Sequence, residues 1–278
     1  MPAPESSTAS PAFARIVSEL RRAGCVFAEE EAELLIAEAS DPVELEGDVR
    51  RRAAGIPLEY ILGWAWFAGR RVMVEPGVFV PRRRTELLVN EAVVILEAAG
   101  ASQPRVVLDL CCGSGAVGVA LAMRVPGLEL HATDIDPVAV RCARGNVEPM
   151  GGHVHEGDLF GALPLLLRGR VQVLAVNAPY VPTRAIRTMP PEARLHESRL
   201  SLDGGADGLD VHRRVAAAAP EWLGPAGHLL IETSEQQALA TASIVSAAGF
   251  TVRIVRSEEL DGTVVVGVLP DFAGALPR

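Results

Sequence analysis

Val106-Val107-Leu108-Asp109-Leu110-Cys111-Cys112-Gly113-Ser114-Gly115-Ala116-Val117-Gly118 passes from an apolar run, through an acid and a glycine-rich loop, into a helical pattern. Its first part is the uninterrupted apolar segment of a parallel strand buried on both faces. Gly113, Gly115 and Gly118 then satisfy a G-x-G-x-x-G spacing. Glycines between a strand and a helix permit a tight turn and bring backbone N–H groups close to a ligand. The next apolar segment ends in Ala132-Thr133-Asp134, placing an acid 21 residues after Gly113. That is close to the roughly 20 residues at which a carboxylate grips both hydroxyls of a ribose. The competing reading is an ordinary strand-to-helix turn in which Asp134 caps the helix beginning at Pro137.

Outward from this unit the same alternation continues. Further strand candidates lie at 128–133, 153–156, 171–176, 228–232, 251–255 and 263–269. Helical patterns at 117–124, 137–147, 209–222 and 236–248 separate most of them, and a helix at 86–99 leads into the first. Alternating strands and helices predict an α/β open sheet of seven strands. Only a Glu258-to-Gly262 turn separates the last two, so they form an antiparallel hairpin at the sheet edge. Upstream, Phe13, Ile16, Val17 and Leu20 repeat at helical spacing, as do Ala32, Leu35 and Ile36, and a third helix runs over 43–54. Gly69 and Pro76-Gly77 are turn signals of a β-ribbon over 64–80. The expected organisation is a Pro/Ser/Ala-rich disordered tail (1–10), a small helical domain closed by a β-hairpin (11–80) and an α/β domain (81–278).

Composition narrows the chemistry. All 26 basic residues are arginine, against 35 acids, for a net charge of −9. No lysine is present, which excludes lysine Schiff bases and the lysine of a phosphate-binding P-loop. Arginine supplies every cationic contact as a planar fork. The acidic balance argues against a general nucleic-acid binder, which needs a basic face. No apolar run approaches the roughly 20 residues of a membrane span, and the start lacks a signal-peptide layout, so a cytoplasmic protein is expected. Cys25, Cys111, Cys112 and Cys142 have no metal-type spacing and read as free thiols in a reducing compartment.

Two ligands fit the glycine loop and Asp134: a dinucleotide and S-adenosylmethionine. A dinucleotide pyrophosphate at the helix N-terminus would face the negative charge of Asp109. The ammonium and sulfonium of S-adenosylmethionine are favoured by it, so the sign of the charge favours the methyl donor. A second constellation lies at the end of 171–176, where Leu174-Ala175-Val176 runs into Asn177-Ala178-Pro179-Tyr180. Open α/β sheets bind ligands in the crevice at the carboxyl ends of their strands. There the Asn177 side-chain oxygen and the Ala178 carbonyl can accept both hydrogens of a planar amide or amino group. Pro179 stiffens the loop and Tyr180 offers a flat wall. A plain turn with a packed tyrosine is the bland alternative.

With these segments in place the chain resembles the HemK/PrmC-type protein-(N5-glutamine) methyltransferases over nearly its whole length. The likeness rests on Pro57-Leu58-Glu59-Tyr60-Ile61-Leu62-Gly63, Val80-Pro81 with Thr85-Glu86, the Asp109 loop, Asp134, Gly157-Asp158-Leu159-Phe160 and Asn177-Ala178-Pro179-Tyr180. A further stretch, Pro190-Pro191-Glu192 through Leu202-Asp203-Gly204-Gly205 to Asp207-Gly208-Leu209, separates it from nucleic-acid enzymes that share the tetrapeptide. The resemblance implies a class I S-adenosylmethionine-dependent methyltransferase fold. It implies that Asp109, Cys111, Cys112, Gly113, Ser114, Gly115 and Asp134 hold the methyl donor, with Asp158 and Leu159 at its adenine. It also implies that Asn177, Ala178, Pro179 and Tyr180 clamp a glutamine amide, Asn177 also bordering the donor. The substrate would be a peptide release factor or a ribosomal protein, seated with help from the helical domain.

Three positions depart from the family pattern and suggest a divergent branch. Ala178 stands where the family has proline, which removes a φ restraint worth about 0.4–1 kcal/mol. Cys111 stands at the first loop glycine, so that position is expected to adopt a conformation open to other residues. Arg82-Arg83-Arg84 interrupts a Pro-Arg-Pro segment; contact with substrate carboxylates or RNA phosphates and a solvated segment are equal readings. Glu192, Glu197 and Asp203 either line the entrance or cap helices. His153 and His155 share a strand face without an evident third metal ligand, and Cys111-Cys112 reads as packing rather than redox chemistry. The residues leave open a nucleic-acid amino methyltransferase, an NAD-dependent dehydrogenase and an inactive S-adenosylmethionine binder.

Overall fold

The computed structural model describes residues 11–99 and 105–270, so the expected tail at 1–10 lies outside the described residues. In chain order the elements are helices α1 (Pro11–Arg22), α2 (Ala28–Glu38), α3 (Pro42–Ala53) and α4 (Leu58–Leu62), then strands β1 (Trp64–Phe67) and β2 (Arg70–Met73). Next come α5 (Glu86–Ala98), β3 (Arg105–Leu110), α6 (Ala116–Arg124), β4 (Leu128–Asp134), α7 (Pro137–Val147), β5 (His153–Glu156) and β6 (Val171–Val176). The chain closes with α8 (Pro191–His196), α9 (Asp210–Trp222), β7 (Leu223–Glu232), α10 (Ala238–Ala247), β8 (Thr251–Ser257) and β9 (Gly262–Val268).

Two compact units result. The smaller comprises residues up to Trp64 together with 190–196. Its core is the apolar stripe of α1 (Phe13, Ile16, Val17, Leu20) packed on Ala28, Ala32 and Leu35 of α2 and Val49 of α3. Buried Arg52 meets both carboxylate oxygens of Glu31, at 2.6 and 3.0 Å, and also pairs with Glu192 of α8. This pairing is how 190–196 comes to belong with the helices.

The larger unit is built on a seven-stranded sheet of order β5-β4-β3-β6-β7-β9-β8. β3 to β7 run parallel, whereas β9 is antiparallel to β7 and pairs antiparallel with β8 as the edge hairpin. Side chains of α5, α6 and α7 cover one face and those of α9 and α10 the other. The β-ribbon does not close the helical unit as the sequence suggests. Phe67 and Val72 lie in the core of the larger unit, and the Asn146 side chain of α7 bonds both the N–H and the C=O of Met73, at 3.0 and 2.9 Å. The ribbon is also shorter than 64–80, ending at Met73, because the chain leaves the ladder before Pro76.

Register places the site. Leu110 pairs with Thr133 on one side and Val176 on the other, so β3, β4 and β6 finish at one level. The strand order reverses between β3 and β6, which makes the crevice above that level the topological switch point.

Candidate active site

The segments following β3, β4, β5 and β6 enclose a cleft of about 1110 Å³ in the larger unit. Asp109, Cys111, Cys112, Gly113, Ser114, Asp134, Asp158, Leu159, Asn177, Ala178, Pro179 and Tyr180 all line it. Gly115, expected beside them, does not. It is the left-handed N-cap of α6 at φ 77°, and its N–H is taken by the Cys112 carbonyl at 2.8 Å. A Cβ there would stand 2.6 Å from Val147 Cγ2, so this glycine lets α6 pack on α7 beneath the loop.

Asp134 organises the cradle. Its two carboxylate oxygens accept from Gly113 N–H at 2.8 Å and Asp136 N–H at 2.9 Å, and its backbone oxygen accepts from Gly157 N–H at 2.9 Å. One residue at the end of β4 thereby fixes the loops that follow β3 and β5. The role of α7 cap belongs to Asp136, which accepts from Val138 N–H at 2.9 Å. Burial raises the Asp134 carboxyl above the usual range, against the two N–H donors.

Asp109 is buried beneath the loop and accepts from Gly118 N–H at 2.8 Å. Burial, opposed by that hydrogen bond and reinforced by the charge of Asp134, pushes its carboxyl up to about 7. Asp136 and Asp158 add two more carboxylates to the same end of the cleft, Asp158 paired with Arg214 at 2.6 Å. Ile135 and Leu159 supply apolar surface between them. Acids around apolar walls fit a nucleoside that carries cationic groups; a pyrophosphate would face Asp109 and Asp134 directly. The donor set therefore suits S-adenosylmethionine and opposes a dinucleotide.

Cys111 corrects an expectation. It lies at φ 60°, in the left-handed region that favours glycine, rather than in a conformation open to all residues. A side chain there costs on the order of 1–2 kcal/mol. The departure from the family glycine is accommodated as strain, because the chain must still turn from β3 into α6. Burial pushes both Cys111 and Cys112 thiols up, which removes the thiolate that redox chemistry needs.

At the other end of the cleft, Asn177 Nδ2 donates to Thr85 Oγ1 at 3.3 Å, and the Tyr180 hydroxyl donates to Glu232 Oε1 at 3.2 Å. The stretch from Leu202 to Leu209 buttresses the tetrapeptide from behind. Val181 N–H donates to Leu202 O at 3.0 Å, Gly204 N–H to Val181 O at 2.9 Å and Thr183 N–H to Gly205 O at 2.8 Å. Gln237 Nε2 then joins Tyr180 O and Asp207 O, each at 3.0 Å.

Of the weaker signals, Glu192 is absent from the lining, whereas Glu197 and Asp203 are part of it. Arg82 pairs with buried Glu197, and Arg84, itself exposed, lies 3.9 Å from buried Glu232; Arg83 is the most exposed of the three. The triplet is thus partly solvated, with an acidic neighbour for each of its cations. His131 stacks on both His153 and His155, with ring centroids 5.1 and 5.3 Å away. Among the described residues no group of three or more His, Cys, Asp or Glu is arranged to hold a metal ion, and no helix is long and apolar enough to cross a membrane. Thr85, Ile135 and Glu232 were not singled out from sequence. Thr85 alone carried a signal, its place beside Glu86 in the Val80-Pro81 segment.

Comparison with known proteins bears on the family and the fold. A family model described as "Methyltransferase small domain" matches residues 70–206. A release factor glutamine methyltransferase of Geobacter sulfurreducens is 40% identical over 215 residues, covering 76% of this chain and 73% of the relative. A 4-amino-L-phenylalanine/4-methylamino-L-phenylalanine methyltransferase of Streptomyces pristinaespiralis is 37% identical over 204 residues, covering 72% and 69%. The crystal structure of a methyltransferase from Pyrococcus furiosus superposes with a TM-score of 0.52 at 15% identity, over 73% of this chain and 90% of that one, a likeness of fold.

Proposed function

The chain belongs to the release factor glutamine methyltransferase family, and from that premise we propose that it methylates the side-chain amide nitrogen of a glutamine in a peptide release factor, with S-adenosylmethionine as methyl donor. One observation carries the reading: Asp109, Asp134 and Asn177, at the ends of three adjacent strands, line a single cleft. Bound S-adenosylmethionine supplies an electrophilic methyl group on a sulfonium. Asp134, Ile135, Asp158 and Leu159 would hold its adenosine, and Asp109 would favour its cationic amino-acid part. Asn177 Oδ1 and the Ala178 carbonyl accept the two hydrogens of the substrate amide, and Tyr180 walls its plane.

A carboxamide nitrogen is a weak nucleophile because its lone pair is delocalised into the carbonyl. These residues answer that weakness with position. Holding two reactants in line provides effective molarities of 10⁵ M or more in order of magnitude, several kcal/mol of the barrier. As the nitrogen–methyl bond forms, the sulfur–methyl bond breaks and its electron pair stays on sulfur as a thioether; acceptors on the amide hydrogens stabilise the positive charge that builds on nitrogen, which then gives up one of those protons to solvent water. The helical unit seats the protein substrate. That substrate is met in the cytoplasm, where the four cysteines remain thiols.

The test incubates the protein and labelled S-adenosylmethionine with release factor, ribosomal protein, 4-amino-L-phenylalanine or RNA. Label on a release-factor glutamine supports the reading. Label confined to the arylamine, the RNA or the ribosomal protein overturns the substrate assignment. Asn177→Ala is expected to lower single-turnover methylation by at least 100-fold with donor binding intact. An unchanged rate would sink the positioning mechanism.

A further inference from the structure

Between the ribbon and α5 the chain passes along the cleft as Gly77-Val78-Phe79-Val80-Pro81-Arg82. Val78 and Val80 are buried, and half-buried Phe79 between them lines the cleft. The Phe79 Cβ lies 4.0 Å from the place a Cβ would take on Gly113, so this side chain rests on the glycine loop that Asp134 holds. Glu197 reaches the segment on the far side of the ring. Its Oε1 accepts from Val80 N–H at 3.4 Å and from the Arg82 guanidinium. That guanidinium in turn lies over the Phe79 ring, 5.2 Å from its centre. The next residue, Ser198, donates its N–H to Gly77 O at 3.2 Å. The Glu197 side chain is 1% exposed and that of Arg82 35%. A charge so buried loses its hydration, and one ion pair is weak ground for stability. What this pair does is fix the residue after Phe79 and the cation that covers its ring.

We propose that Glu197 is a positioning residue for the methyl-donor site: through Val80 and Arg82 it holds Phe79 against the glycine loop as a wall of the cleft. The charge is essential to that task. An ionised carboxylate accepts a backbone N–H and a guanidinium together. The cation it draws in then stays on the ring, whose face is the negative part of its quadrupole. An amide at position 197 keeps an acceptor oxygen for Val80 but gives up the attraction for Arg82. The guanidinium turns to solvent, the ring loses its cover, and Phe79 shifts away from Gly113. Donor binding alone reads this role, whichever nitrogen accepts the methyl group.

The experiment is calorimetric titration of S-adenosylmethionine, well below every melting temperature, together with thermal melting of the unliganded protein. The variants are Glu197→Gln, Phe79→Leu and the double Glu197→Gln/Phe79→Leu. Each single change is expected to weaken donor Kd by about 10-fold, the worth of one aromatic contact. The double variant is expected to bind no worse than the weaker single one, because Glu197 acts through Phe79. A Glu197 that serves the fold alone would lower the melting temperature and leave Kd unchanged. A wild-type Kd in Glu197→Gln or in Phe79→Leu would therefore overturn the proposal, as would losses that multiply to about 100-fold in the double variant. If Glu197→Gln does not fold, Arg82→Gln decides by the same comparison. It leaves the carboxylate an amide donor and removes the guanidinium from the ring, so donor binding is expected to weaken on the wild-type background and not on that of Phe79→Leu. An unchanged Kd in Arg82→Gln would overturn the proposal equally.

Discussion

Gly204→Ala tests whether the loop behind Asn177 to Tyr180 sets the rate of methyl transfer. A Cβ built on Gly204 stands 2.7 Å from the Pro179 carbonyl oxygen and 2.6 Å from that of Gly208. Carbon and carbonyl oxygen approach comfortably to about 3.3–3.6 Å, so the backbone must open by roughly 0.6–1.0 Å. Neither neighbour is the free end of a side chain. Gly208 is held through the Gly205 carbonyl, and Tyr180 and Asp207 through Gln237, so the displacement passes into the tetrapeptide. Gly204 is not in the left-handed region, so the effect is steric and not a backbone penalty. Overpacking of this kind costs about 1–3 kcal/mol, a fall in Tm of roughly 2–10 °C for a chain of this size. A misplacement near 1 Å at a reacting centre costs on the order of 100-fold in rate. Steady-state kinetics on release factor, calorimetric titration of S-adenosylmethionine and a thermal melt are to be read together. The expected pattern is kcat down by about 10- to 100-fold with donor affinity unchanged, since the donor half of the cleft hangs on Asp134. Gly161→Ala, where a Cβ meets open space, serves as the neutral control. A kcat within twofold of wild type, or a parallel loss of donor affinity, would refute the reasoning.

Asp109 makes the free enzyme sensitive to pH. Its carboxyl is raised from 3.8 to about 7, so the folded state holds a proton that the unfolded state has lost. Stability therefore falls as pH rises from about 4 to about 7 and then levels. Melting of Asp109→Asn against wild type is expected to show a shallower slope, with Asp134 and Glu232, both raised by burial, retaining the rest. S-adenosylmethionine affinity rises over the same interval as Asp109 ionises, and a flat calorimetric profile from pH 5.5 to 8 would contradict it. Cys111→Val sets a β-branched residue at φ 60° and is expected to destabilise by about 1–3 kcal/mol, whereas Cys111→Gly folds at least as well; equal melting of the two would remove the strain argument. Arg52→Ala leaves Glu31 buried without its partner and lowers stability by about 3–5 kcal/mol, to be seen as early proteolysis confined to the helical unit.

Much of the site is legible in the chain because it consists of strand ends. Asp109, Asp134 and Asn177 each follow an apolar run, and parallel strands joined through helices must finish at one edge of the sheet. The edge hairpin is equally local, since the short turn from Glu258 to Gly262 leaves no room for a crossover. Charge favours the methyl donor from the sequence alone, because the acid at 109 opposes a pyrophosphate. The Leu202-to-Leu209 stretch was visible only as likeness, and its physical task, bracing the Val181 and Tyr180 backbone, emerges from its hydrogen bonds.

Periodicity and spacing thus determined the alternating α/β order, the glycine loop and the acids that follow β3 and β4, because each is written in neighbouring residues. Tertiary structure alone decided the rest. It carried the ribbon onto α7 through Asn146, brought Arg82 and Arg84 to buried carboxylates, and placed Cys111 in a left-handed conformation. It also brought Thr85 to Asn177, 92 positions later in the chain, and set Glu232 behind Tyr180. Such meetings depend on the register and twist of strands that share no local pattern. A one-dimensional reading finds the groups that meet the ligand; the groups that hold them in place appear only when the sheet closes.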